Sequence, residues 1–273
     1  MSDASASVFA EWSMPPVLTT IIILTGLIYL RGWFAVRRTR QAQIAWHRAA
    51  CFLGGLMALW LAIASPLDGF ADLLLSAHMV QHLLLMSVVP PLLLLGWPAV
   101  PLLRGLPAFA VPRALLRSTQ SRRVGHWVVS PLVAWVSMNA VLLGWHVPAA
   151  YDFALENEHW HEFEHICFLA SSLAFWWCVV NPWPGQKLRD RWELLLYLLS
   201  ADLVNTGLSA YLAFCDRPVY LYYLVHSNPW RVPPLADQVL GAVIMWVVGS
   251  FVFLLPAAQI TFRLLQTSSD RVR

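Results

Sequence analysis

Long apolar runs separated by short charged stretches constrain this 273-residue chain more than any other feature. A run of about 20 apolar residues is long enough to cross a bilayer as a helix. Only 12% of the residues are charged, whereas a soluble domain carries about 25%. The sequence therefore predicts an all-α, polytopic membrane protein, folded as a single bundle of transmembrane helices.

Seven runs are long enough to span a membrane. They cover residues 15–35, 46–64, 71–96, 127–146, 159–180, 191–214 and 236–260. We expect a short outer segment at 1–14, a seven-helix membrane domain at 15–262 and a cytoplasmic tail at 263–273. The N-terminal segment lacks the Lys or Arg of a cleavable signal, so the first run is interpreted as a retained helix. Pro90 and Pro91 are expected to kink the third helix.

Basic residues occupy alternate connections between these runs. Of 18 Lys and Arg residues, 16 lie between runs one and two, three and four, or five and six, or in the tail. The positive-inside rule then places the N-terminus outside and the C-terminus in the cytoplasm. The basic connections face anionic lipid head groups, so the bilayer is the expected partner of this surface, and nothing indicates nucleic acid. Lys187, the only lysine, falls in a cytoplasmic connection, which excludes a retinal Schiff base within the bundle.

Histidines concentrate on the outer side of this topology. His78 and His82 are separated by four residues, as are His161 and His165, so each pair shares one helix face. His146 ends the fourth run at the same side. Two such pairs at similar depth can converge in a bundle core, and imidazole suits copper, zinc or iron. The alternative is that single histidines only form hydrogen bonds between helices.

Softer ligand candidates lie near these histidines. Met79, Met138 and Cys167 favour Cu(I), because thioethers and thiols select soft metals. Gln81 is interpreted as an interhelical hydrogen-bonding residue that supports the site without binding metal.

Glutamates accompany the second histidine pair in EHWHEFEH. Glu158 precedes His161 by three residues and Glu162 precedes His165 likewise, a spacing found in di-iron carboxylate bundles. In those bundles the motifs come from different helices. We therefore interpret the glutamates, including Glu164, as acceptors that orient the imidazoles or as water-exposed groups.

Asp202 is the one acidic residue deep within a run. An ionisable group at that depth is a functional candidate. The structural alternative is an aspartate that ties helices together through Asn205 or Gln81.

Three blocks of the sequence resemble the seven-helix cytochrome c oxidase assembly factors of the CtaG type, which are associated with caa3-type oxidases. They are SPLDGFADLLLSAHMVQHLLLMSVVPPLLLLGWP (65–98), WHVPAAYDFALENEHWHEFEHICFLASSLAFWW (145–177) and PPLADQVLGAVIMW (233–246). The His-x-x-Glu-His core at 161–165 and the pair Asp237–Gln238, assigned a supporting polar role, are the most specific parts.

The resemblance implies a non-enzymatic role in maturing a haem-copper oxidase of the bacterial cytoplasmic (inner) membrane. Oxidase subunits are the implied partners, with a copper chaperone as a further one. The resulting hypothesis is a copper site formed by His78, His82, His161 and His165, with His146, Met79 and Cys167 as auxiliary ligands. Three alternatives stay open: a haem b protein with two axial histidines, a di-metal membrane oxidoreductase, and an assembly scaffold without metal.

Overall fold

The computed structural model describes residues 12, 14–39, 45–107, 118–180, 191–226 and 228–269, and these residues contain helices and no strand. One short segment, Leu84–Val88, is π-helical. The helices are α1 (Pro16–Thr39), α2 (Trp46–Ile63), α3 (Pro66–Ala71), α4 (Leu75–Leu83), α5 (Val89–Leu95), α6 (Ala99–Gly105), α7 (Thr119–Val128), α8 (Pro131–Trp145), α9 (Pro148–Leu155), α10 (Glu158–Val180), α11 (Arg191–Phe214), α12 (Tyr222–Val225) and α13 (Pro234–Ser269).

Six helices of the described chain are long and apolar enough to cross a membrane: α1, α2, the run from α4 through α5, α10, α11 and α13. A seventh span exists only if α8 and α9 count together, and these two are bent by 75°. Pro148 at the start of α9 accounts for the break, because proline donates no backbone hydrogen bond and holds Val147 in an extended conformation. The predicted helical bundle is thus confirmed, with six or seven spans.

Several predicted boundaries differ from the structure. The fourth run was expected to be one helix over 127–146, but it begins as α7, restarts at Pro131 and ends at Trp145. The last helix was expected to end at 260 and continues to Ser269, into the predicted tail. Most of the N-terminal segment and Lys187 lie outside the described residues.

The outer surface of the bundle is apolar. Large hydrophobic side chains on several spans are exposed, among them Ile21, Leu196, Leu203 and Phe251. Exposed residues of this kind are unfavourable in water and suit contact with lipid chains. The helices are therefore arranged for a bilayer, with their polar groups turned inward.

The run from α4 through α5 is the central helix of the bundle. Of its most apolar window 56% is buried, against 28–39% for the other spans. It packs against α2, α10 and α13. Polar side chains on this helix are consequently enclosed by protein and do not meet lipid, which is where ionisable groups in membrane proteins are found.

The central helix changes its hydrogen-bonding pattern one turn before Pro90. Because Pro90 has no N–H, the carbonyl of Met86 lacks its usual partner within the helix. The indole of Trp176 on α10 donates to this carbonyl at 2.9 Å. A short π-helical segment of this type is common near functional sites, and here it directly follows His82.

Replacing Trp176 by Phe should destabilise the protein by about 1–3 kcal/mol, since the partly buried Met86 carbonyl would lose its donor. Thermal unfolding of the purified protein in detergent measures this change. Trp177→Phe, the same exchange one residue along the chain, is the control and should have a smaller effect. Equal effects of the two substitutions would show that the hydrogen bond contributes nothing.

The predicted orientation can be tested with reporter fusions. Alkaline phosphatase joined after residue 218, in the connection between α11 and α12, should be active outside the cytoplasm, whereas a C-terminal fusion should be inactive. Green fluorescent protein at the C-terminus should fluoresce. The reverse pattern would contradict the charge-based orientation.

Candidate metal centre

Imidazoles from α4 and α10 meet inside the bundle. His78 and His82 lie on the buried face of α4, and both are almost fully enclosed. The ring centroids of His78 and His161 are 5.1 Å apart, and those of His82 and His165 are 5.8 Å apart. Spacing by one helical turn on two facing helices therefore produces a group of four imidazoles.

His146 adds a fifth imidazole to this group. It caps the C-terminal end of α8, at the bend before α9. Its ring centroid lies 6.1 Å from that of His82. These five residues form the histidine cluster: His78, His82, His146, His161 and His165.

Two nitrogens of the cluster point directly at each other. The Nε2 atoms of His78 and His82 are 2.7 Å apart, a distance that requires one to donate a proton and the other to accept it. One cation could bind both nitrogens if it replaced the proton that they share. A metal ion bound between them would need these atoms to separate to roughly 3–4 Å, since metal–nitrogen bonds are about 2 Å long.

Hydrogen bonds to Nδ1 set the tautomers of two cluster residues. The hydroxyl of Tyr223 donates to the Ala71 carbonyl at 2.8 Å, so it can accept from Nδ1 of His78 at 3.3 Å. Nδ1 of His146 lies 2.7 Å from the Leu142 carbonyl, which can only accept. In both rings Nδ1 then carries the proton and Nε2 presents a lone pair, the arrangement of metal-binding histidines.

Several polar atoms of the cluster have no hydrogen-bond partner. Among the described residues they include Nδ1 of His82 and Nε2 of His146, His161 and His165. Buried polar atoms without partners are costly, at about 1–3 kcal/mol each. A cation that accepts several of these lone pairs would remove the penalty.

Glu164 is the acidic member of the site. It is fully buried, and neither of its carboxylate oxygens forms a hydrogen bond. One oxygen lies 3.6 Å from Nε2 of His82. A buried carboxylate of this kind is stabilised by a nearby positive charge, so Glu164 is placed to offset the charge of a bound cation.

Two sets of three ligand atoms are close enough to hold a single ion. One set is His78, His82 and His165, and the other is His78, His161 and Glu164; within each set all ligand atoms lie within 4.8 Å of one another. Two ligand atoms on one ion are at most about 4 Å apart. Side-chain shifts of roughly 1 Å would therefore complete either set, and His78 is common to both.

The other side chains that the sequence suggested for the site lie outside the histidine cluster. Met79 is buried against α13 beside Gly241, and Cys167 is half-buried next to Trp145. Glu158 and Glu162 are exposed. Met138 is buried and lines a cavity beside His82 and His146.

The interhelical partners expected for Asp202 are engaged with other groups. Asn205 donates to the Met245 carbonyl, and Gln81 donates to Ala62 and Asp68. Asp202 itself is half-buried, and one of its carboxylate oxygens has no hydrogen-bond partner. A tie from Asp202 through Asn205 or Gln81, one of the two alternatives for this residue, is therefore not formed, because both amides donate to other acceptors.

Asp237 and Gln238 hold two parts of the site in place. The Asp237 carboxylate accepts from the backbone N–H groups of Leu75 and Ser76 and from the Ser76 hydroxyl, so it caps the first turn of α4. Gln238 accepts from the Val219 N–H and donates to the Leu212 carbonyl. The pair therefore fixes both the histidine helix and the connection that carries Tyr223.

Tyr223 and Tyr151 are site residues that sequence reasoning missed. Both are buried, and Tyr151 packs on His78 with a centroid distance of 5.2 Å. Tyr220 stacks on Tyr151 at 4.0 Å. The only signal was a tyrosine-rich connection, VYLYYL at 219–224, and aromatic residues near membrane interfaces are common without any role in a site.

Acidic residues stand at the end of the bundle next to the cluster. Burial raises the pKa of Asp72 to about 6, and the carboxylates of Asp68 and Glu158 add to the shift. Burial also raises the pKa of Asp68, against a hydrogen bond from Gln81 that lowers it. At pH 7 Asp72 is mostly ionised, and it gains its proton as the pH falls through 6. A cation approaching from this end therefore meets negative charge at neutral pH, and less of it in acid.

Comparison with known proteins agrees with this architecture. The profile of a family described as cytochrome c oxidase caa3 assembly factor (Caa3_CtaG) matches residues 27–267. The chain belongs to this family. The match includes the whole histidine cluster, together with Asp237 and Gln238, and the predicted resemblance is confirmed.

Curated relatives in mycobacteria are longer proteins. An uncharacterized protein of Mycobacterium leprae is 26% identical over 253 residues, covering 87% of this chain and 37% of the relative. An uncharacterized protein of Mycobacterium bovis is 26% identical over 249 residues, covering 88% and 37%. The chain thus spans little more than a third of the length of these relatives. No solved structure matches it significantly.

Removing the cap on α4 should loosen the histidine cluster. Asp237→Ala leaves buried N–H groups at Leu75 and Ser76 without an acceptor, so we expect a loss of about 1–3 kcal/mol of stability, measured by thermal unfolding in detergent. Asp237→Asn, which keeps one acceptor, should lose less. Asp216→Ala, at an exposed site before α12, is the control, and an equal loss there would contradict the capping role.

Proposed function

We propose that this protein supports maturation of a haem-copper cytochrome c oxidase by holding copper on the histidine cluster and releasing it for insertion into an oxidase subunit. The family supplies the oxidase and the role in assembly. The proposal of copper as the ion rests on the convergence of five imidazoles from three helices. Four of these imidazoles keep a nitrogen without a hydrogen-bond partner.

The donor set supports a cargo ion better than a permanent one. Imidazole binds copper well, and each candidate set offers three ligands, with His161 and Glu164 able to replace His82 and His165 around the shared ligand His78. Overlapping sets let an ion exchange ligands one at a time. Release then needs no large conformational change, which fits a protein that hands copper to a partner.

The enclosure of the cluster supports transfer within the membrane. His78 and His82 lie on the most buried span and are shielded from lipid. Tyr223 and Tyr151 cover the ends of the site next to α3 and α9. We propose oxidase subunits as the recipients and a copper chaperone as the supplier, with the acidic residues near α3 facing the supplier.

The alternative functions fit the donor set less well. A haem b site needs room for a porphyrin between two axial ligands, whereas the space between the cluster imidazoles is filled by other cluster rings at 4–6 Å. A di-metal oxidoreductase of the carboxylate type needs several buried glutamates. Among the described residues Glu164 is the one buried glutamate beside the cluster, and Glu158 and Glu162 are exposed. We therefore propose a metal-handling role without catalysis.

Copper binding by the purified protein tests the proposal. Titration with Cu(I) in competition with a chromogenic chelator should give a complex of defined stoichiometry. His78→Ala combined with His165→Ala should weaken copper binding by more than about tenfold. Removal of a residue that only hydrogen-bonds to a metal ligand already weakens metal binding by about that factor. His159→Ala combined with His226→Ala removes two exposed imidazoles and should leave the affinity unchanged. An unchanged affinity for Cu(I) in the cluster variant would refute the proposed copper site.

The same variants separate assembly from copper handling in cells. In a strain that produces only the cluster variant, the oxidase should lose copper while keeping its haem. The control variant should restore both metals. Normal copper in the oxidase with the cluster variant would support a scaffold role.

A further inference from the structure

A small cavity adjoins the histidine cluster at His82 and His146. It is lined by His82, His146, Asn205 and Ser87, by three methionines, and by apolar residues of α8, α11 and α13. Its volume is about 20 Å³, enough for one water molecule or one metal ion. Met86, Met138 and Met245, three of the seven methionines of the chain, come from three different elements to line it.

We propose that this cavity is a second metal site, which binds a soft monovalent cation such as Cu(I) through the thioethers of Met86, Met138 and Met245. Thioethers favour Cu(I) over harder divalent ions. The inference rests on the proposed function for the identity of the cation as copper. The methionine residues themselves are not part of the histidine sets described above.

Methionine often only fills gaps in a core, and two observations separate this cavity from that case. His146 and His82 line the cavity, are each more than nine-tenths buried, and each keep a nitrogen without a hydrogen-bond partner. Nε2 of His146 presents a lone pair, because Nδ1 bonds the Leu142 carbonyl. A gap that served only packing would not border two unsatisfied imidazoles.

The order of ligands along two helices links the two sites. On the central helix His78, His82 and Met86 follow at intervals of four residues, and on α8 Met138 lies eight residues before His146. On each of these two helices, the imidazole lies at the histidine cluster and the thioether lies at the cavity. His82 borders both sites, so an ion can leave the imidazoles and reach the thioethers while keeping one ligand.

Metal titration and X-ray absorption test this second site. All variants are made in a background with Cys51, Cys167, Cys178 and Cys215 replaced by Ser, so that any sulfur ligand is a thioether. The parent should bind two equivalents of Ag(I) or Cu(I), with both nitrogen and sulfur neighbours around copper. Replacing Met86, Met138 and Met245 together by Leu should remove one equivalent and the sulfur signal, and Leu conserves the volume of the core.

Two further variants make the result specific. The control replaces Met14 and Met57, which do not line the cavity, by Leu. It should leave both equivalents and the sulfur signal in place. His78→Ala with His165→Ala should remove one equivalent and leave copper bound to sulfur. An unchanged stoichiometry and sulfur signal in the cavity variant would overturn the second site alone, and unchanged binding in the histidine variant would overturn the proposed function alone. Thermal unfolding checks that each variant is folded.

Discussion

The capping of α4 by Asp237 is the interaction on which the geometry of the site depends. The first turn of a helix leaves its N–H groups without partners, and here they lie inside the protein, where no solvent can replace a missing acceptor. A carboxylate more than 160 residues along the chain satisfies them. Gln238 forms hydrogen bonds to the connection that precedes Tyr223. Two adjacent residues of α13 therefore fix the position of the histidine helix α4 and of the segment that carries Tyr223.

Several other polar groups of the bundle also form hydrogen bonds to a different helix or connection. Gln81 bonds a carbonyl at the end of α2, Asp152 accepts from two N–H groups at the start of α12, and Trp176 bonds the carbonyl that Pro90 leaves free. Other buried polar atoms without a hydrogen-bond partner, such as Nε1 of Trp33 and Oγ of Ser209, are spread along the bundle, whereas four imidazole nitrogens without partners belong to the histidine cluster. They are concentrated at one place, which is why a ligand is a better account of them than imperfect packing.

Sequence reasoning recovered the elements that depend on composition and periodicity. The spans and the pairing of His78 with His82 follow from apolar length and four-residue spacing, and all six long spans begin within about four residues of the predicted starts. The apolar run at 127–146 does not predict the 75° bend before α9, because apolar length carries no information on the direction of the chain after Trp145. Tyr223 and the direction of the Glu164 side chain depend on contacts between distant segments, which no local pattern encodes. Glu158 and Glu162 matched a metal-binding spacing but face away from the cluster.

The bend between α8 and α9 has a consequence for how the site responds to a partner. His146 sits at the hinge, whereas the other four imidazoles belong to uninterrupted stretches of helix. Movement of α9 would shift His146 at the bend and, through Tyr151, would reach the ring of His78. In the proposed copper role, the bend would couple docking of a partner at α9 to the number of imidazoles around the ion, so that docking would favour release of the ion.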